Sequence, residues 1–70
     1  RRESGMTFKQ FQSVKVGDLV QPYHRAYQSK FGTVGVVVKK KGKNELKVAF
    51  GDRTMWFTRQ QMILFNREEQ

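Results

Sequence analysis

A chain of 70 residues with a formal charge of +8, one histidine and no cysteine makes one small domain at most. It buries only ~60% of its unfolded surface, which excludes a deep substrate cleft beside the core. The lack of cysteine excludes a disulfide framework or a thiolate metal site and suits a reducing cytoplasm.

The longest apolar run, Val34-Gly35-Val36-Val37-Val38, is far short of the ~20 residues of a membrane span, and no secretory leader is visible. Residues 1–5, Arg-Arg-Glu-Ser-Gly, precede a Met6-Thr7 that reads as a natural start; they are set aside as an expression-derived extension. Without their two arginines and one glutamate the charge falls only to +7, so the basicity belongs to the domain. A charge of this size points to an anionic partner: nucleic acid or a nucleoprotein first, an acidic protein second. The plainer alternative is solubility. No cofactor, small-molecule substrate or membrane is expected.

From Met6 to Ser13 the chain is expected to form a short helix or turn capped by Thr7, laying Phe8 and Phe11 over one end of the core. Gly17-Asp18 marks a turn, and Leu19 to Tyr23 a short strand that ends, or lies on an edge, at Pro22. Residues 22–32 read as a long polar loop carrying Tyr23, Tyr27 and Phe31. Thr33 to Lys40 is the clearest strand, dense in β-branched residues. Val34, Val36 and Val38 share one of its faces; Thr33, Gly35 and Val37 share the other. Lys41-Gly42-Lys43-Asn44 turns the chain into Glu45 to Phe50, where Leu46, Val48 and Phe50 point inward and Lys47 and Ala49 outward. Gly51-Asp52 makes a second tight turn into the strand Arg53 to Thr58. Arg59 to Gln61 suits one 3₁₀ turn. Met62 to Phe65 closes the sheet, and Asn66 to Gln70 is a charged tail.

The expected fold is therefore all-β, with five short strands, a short N-terminal helix or turn and a 3₁₀ turn before the last strand. This arrangement resembles the SH3-like barrel. Val16-Gly17-Asp18-Leu19-Val20, Gly32-Thr33-Val34-Gly35-Val36-Val37-Val38 and Leu46-Lys47-Val48-Ala49-Phe50 are together similar to the KOW and Tudor-like branch of that fold. Gly51-Asp52 followed by Trp56, then Gln61-Met62, resembles its last hairpin and closing turn. The likeness spans residues 14–65, although the loop from Tyr23 to Phe31 is longer and more basic than many KOW loops. KOW modules bind RNA, DNA or polymerase, and Tudor modules bind methylated side chains. The resemblance implies these as candidate partners.

Catalysis is not expected, because convergent titratable groups are missing. The histidine His24 stands alone in a loop, and Asp18 and Asp52 follow glycines in turns, where aspartate is favoured for turn hydrogen bonds. No phosphate-cradling or metal-ligating spacing is present. The stronger signal is charge beside aromatics. Lys39, Lys40, Lys41 and Lys43 crowd one hairpin tip, with Lys47 just behind; Arg25 and Lys30 sit in the long loop, and Arg53 and Arg59 flank Trp56. Phosphate neutralisation would supply affinity. The alternative for the lysines is protection of a strand edge. Tyr23, Tyr27 and Trp56 are candidate stacking surfaces, and Phe31 reads more readily as packing. Thr54-Trp56-Thr58 and Met55-Phe57 occupy opposite faces, and the threonines favour Trp56 on the surface.

Two functions compete on this reading. One is a nucleic-acid or nucleoprotein-binding module using the basic hairpin and the aromatic loop. The other is a protein-interaction module, a small adaptor or regulator, using the aromatic surface. A methylated-cation cage ranks last, because only Asp52 lies near Trp56 to supply an acidic rim.

Overall fold

The computed structural model describes residues 5–65. Residues 1–4 and the tail 66–70 lie outside the described part. Helix α1 (Phe8–Ser13) leads into β1 (Leu19–Pro22), helix α2 (Arg25–Phe31), β2 (Gly35–Lys41), β3 (Glu45–Phe50), β4 (Arg53–Thr58), a 3₁₀ turn (Arg59–Gln61) and β5 (Met62–Leu64). The strands form one antiparallel sheet in the order β4-β3-β2-β1-β5. All five place a side chain in one cluster: Val20, Val37, Leu46, Val48, Phe50, Phe57 and Met62. The sheet thus wraps its inner face around a single core, and Met6, Phe11 and Val14 from the N-terminal segment close it. Among the described residues no helix is long and apolar enough to cross a membrane.

Helix α1 begins where expected. The Gln10 N–H donates to Thr7 Oγ1 at 3.1 Å, and the Thr7 N–H donates back to Gln10 Oε1 at 3.0 Å. Such a capping box satisfies two free amide donors and is worth ~1 kcal/mol. Only Phe11 of the two phenylalanines enters the core; Phe8 is exposed, with the Arg59 guanidinium 5.9 Å from its ring. Gly5 is buried against the backbone of Gln60 and Arg59. The Met6 N–H donates to the Arg59 carbonyl at 2.9 Å, and the Met6 side chain is fully buried.

Residues 22–32 are not a loop. Arg25 to Phe31 is helical and stops at Gly32, whose φ of 135° lies outside the helical range. The reason is tertiary. Tyr27 and Phe31 are four apart and share one helix face. Phe31 packs on Phe50 and Phe57, with ring centroids 6.2 and 5.5 Å away. Pro22 ends β1, as its missing N–H requires, and the Gln28 side-chain amide donates to its carbonyl at 2.9 Å.

In β2 the two faces divide as the alternation predicts, and the Gly35–Val37 face is the inner one. Gly35 and Val37 are buried, while Val34, Val36 and Val38 are exposed. Phe50 and Val48 occupy the space above Gly35, so the inner face there tolerates no side chain. A bulge between Val37 and Lys39 then resets the alternation before the lysines.

Candidate functional site

Register places the outer face of the sheet in three cross-strand rows, because directly opposed residues of an antiparallel pair share a face. Val36, Ala49 and Thr54 form the first row, Lys39, Lys47 and Trp56 the second, and Lys41, Glu45 and Thr58 the third. Trp56 faces out because its neighbours Met55 and Phe57 oppose the fully buried Val48 and Leu46. It is 45% exposed, a large apolar ring left in water. The Lys47 and Lys41 ammonium groups stand 5.8 and 6.0 Å from its centroid. That is the outer limit of a cation–π contact, so the ring gathers the ammonium groups without holding them tightly.

Lys39 and Lys47 are directly opposed like charges. Such pairs are destabilising by up to ~1 kcal/mol. With Lys41 beside them and Lys43 exposed in the turn, the hairpin concentrates cations at an energetic cost.

Two expected members of the basic set are engaged elsewhere. The bulge turns Lys40 inward, opposite Leu46. Its Nζ donates to the Phe11 and Val14 carbonyls at 2.8 and 2.7 Å and lies 4.7 Å from the Phe11 ring. These carbonyls close the C-terminal end of α1, where a cation is favoured. Arg59 donates from Nε to Asn44 Oδ1 at 2.8 Å and from Nη1 to the Met6 carbonyl at 3.0 Å. Both side chains are half-buried and spend their donors on the fold, so neither is as free for a phosphate as the exposed lysines of the hairpin. Lys40→Met, which keeps the stem and removes two charged hydrogen bonds, should cost ~2 kcal/mol in urea unfolding. Oligonucleotide affinity should stay within about twofold, since the removed charge makes no phosphate contact. A neutral effect on stability combined with a large loss of binding would restore Lys40 to the surface.

The second part of the site lies between α2 and β4. A groove of about 450 Å³ is lined by Tyr27, Lys30, Phe31, Met55, Trp56, Phe57 and Gln61. Arg53 flanks it, with its guanidinium 6.0 Å from the Phe31 ring. Gln61 spans one end: its Oε1 accepts the Thr58 N–H at 2.9 Å, and its Nε2 is 3.4 Å from the Tyr27 hydroxyl. The helix therefore brings Tyr27 and Lys30 into a groove that Trp56 also lines, which a loop of unknown course did not promise. Tyr23 and Arg25 stay exposed at the other end of α2 and do not line the groove. Gln61 and Met55 were not singled out by sequence; the Thr-x-x-Gln spacing shared by Thr7-Gln10 and Thr58-Gln61 was the available signal for Gln61.

Asp18 and Asp52 hold turn positions, and Glu45 opens β3. Asp18 accepts the Lys15 N–H at 2.9 Å, and Glu45 and Asp52 are exposed. His24 heads α2, with ring centroids of Tyr23 and Tyr27 at 5.0 and 5.8 Å. Among the described residues no group of three His, Cys, Asp or Glu could hold a metal ion. No family model, curated protein or solved structure matches the chain.

Proposed function

We propose that the chain is a non-catalytic binding module for nucleic acid or a nucleoprotein, built on an SH3-like barrel of the KOW and Tudor-like branch. The sheet order β4-β3-β2-β1-β5, the tight β2–β3 and β3–β4 hairpins and the 3₁₀ turn before β5 support that fold. The observation that carries the function is the half-exposed Trp56 set among Lys39, Lys41 and Lys47 on one face. Lysine ammonium groups neutralise phosphates and release counterions, which supplies affinity without reading sequence. A solvent-facing indole offers a platform on which an unpaired base stacks for ~1–3 kcal/mol. A base settling there displaces the loosely held ammonium groups outward to its flanking phosphates. The arrangement therefore favours single-stranded over duplex nucleic acid. A methylated cation is a poor fit, since the ring already stands among cations.

A salt titration tests this. Four phosphates met by Lys39, Lys41, Lys43 and Lys47 give a log–log slope of about −3 on a single strand and about −4 on duplex. Tighter binding to the single strand is expected at every salt concentration. A slope near zero would sink the reading.

A further inference from the structure

We propose that the free edge of β4 takes up an extended acidic peptide as an added strand. The proposal concerns backbone groups and stands independently of nucleic-acid binding. β4 ends the sheet. Its six residues pair with β3 in continuous register, without bulge or proline, whereas the opposite edge strand, β5, has only three residues. Long, flat edges are normally blunted. Among the described residues, nothing pairs with this one over most of its length.

The ladder shows which groups are open. The Thr58 N–H turns away from β3 to Gln61 Oε1, and the next amide, Arg59 N–H, donates back to the Asn44 carbonyl at 2.7 Å. Antiparallel pairs alternate between bonded and non-bonded positions. The amides and carbonyls of Thr54 and Trp56 therefore face the open edge, while those of Met55 and Phe57 face β3. The Gln61 side chain already occupies the edge at Thr58. The groove lies along the remainder, because three consecutive residues, Met55, Trp56 and Phe57, line it although their side chains alternate between faces. Tyr27 and Phe31 form its far wall.

The occupant follows from hydrogen-bonding capacity and charge. The edge presents acceptors as well as donors, and a phosphate backbone has no donor to give the Thr54 and Trp56 carbonyls. A peptide strand supplies both. Lys30 and Arg53 border the groove, and Lys47 opposes Trp56 on the adjoining face. Such a rim selects acidic side chains and rejects a second copy carrying +8. Because strand residues alternate, the fitting peptide has acidic residues toward the lysine face and apolar ones toward Tyr27 and Phe31.

The experiment is NMR amide exchange on the wild-type protein, with and without a short peptide alternating glutamate and valine. In the free protein the Thr54 and Trp56 amides should exchange quickly and those of Met55 and Phe57 slowly. Saturating peptide, followed by fluorescence anisotropy, should slow Thr54 and Trp56 about tenfold or more, as a new net hydrogen bond requires. Thr54→Pro removes one edge donor at a position that makes no ladder bond, and should weaken peptide binding by about tenfold. Its affinity for oligothymidylate should not change. Lys30→Glu with Arg53→Glu should weaken the peptide without touching the edge, which covers failure of the proline variant to fold. Three outcomes overturn the proposal: no anisotropy change, unchanged exchange at Thr54 and Trp56 with peptide bound, or protection of those amides by protein concentration alone. Loss of the salt-dependent oligonucleotide binding would overturn the preceding reading and leave this one standing.

Discussion

Gly35→Val should lower the unfolding free energy by ~3 kcal/mol or more, the upper range for forced overpacking in a core. A Cβ at position 35 would sit 2.4 Å from Val48 Cγ1 and 2.8 and 2.9 Å from two ring atoms of Phe50. Neither neighbour can yield cheaply. Val48 is fully buried and β-branched, and the Phe50 ring is packed between Phe31 and Phe57. Total stability for this length is about 4–10 kcal/mol, so the loss is a large share of it. Thermal unfolding should fall by roughly 15 °C. Gly42, which has open space around its missing side chain, provides the contrast: Gly42→Asn should shift the midpoint little, since asparagine accepts a positive φ. An unchanged midpoint for Gly35→Val would mean that Phe50 does not lie over β2.

The largest effect on binding should come from Lys39→Gln, Lys41→Gln and Lys47→Gln together. Removing three phosphate contacts should weaken a single-stranded oligonucleotide by about 100-fold at ~0.1 M salt, at ~1 kcal/mol per contact. Stability should hold or rise slightly, because the variant relieves the opposed Lys39–Lys47 pair. Lost binding with retained stability is the signature of a functional charge cluster. Trp56→Ala should separate the second component: about tenfold loss on single strands and little change on duplex, where bases are not free to stack. Lys9→Gln with Lys15→Gln, exposed lysines on another part of the surface, is the control. An equal loss from the control pair would show that net charge, not this face, governs binding.

The sheet was legible because its signals reinforce one another. Alternation in Glu45 to Phe50 transmits across the tight Gly51-Asp52 turn, so an inward Leu46 and Val48 oblige an inward Phe57 and Met55 and an outward Trp56. Thr7, Pro22 and the 3₁₀ turn were legible for local reasons. The failures are tertiary. A seven-residue helix has no stability of its own, so α2 exists because Phe31 docks between Phe50 and Phe57, which no window around residue 27 contains. The inner face of β2, which alternation alone left open, is set by Gly35, which must lie beneath Phe50. Simple alternation from an inward Val37 would bury Lys39 and Lys41 and expose Lys40; one bulge residue reverses that. The partners of Arg59 lie 15 and 53 residues away in sequence, beyond the reach of pattern reading.

The hairpin that carries the lysines is bolted down on two sides. Lys40 ties β2 to the end of α1, and Asn44 at the turn is held by both the backbone and the side chain of Arg59. On the proposed reading, its backbone is arranged for a nucleic acid before one arrives. Only the lysine stems have motional freedom to lose on association, and that freedom lets their tips follow an irregular chain of phosphates. A stiff base under supple tips suits a binder that accepts many sequences through one geometry.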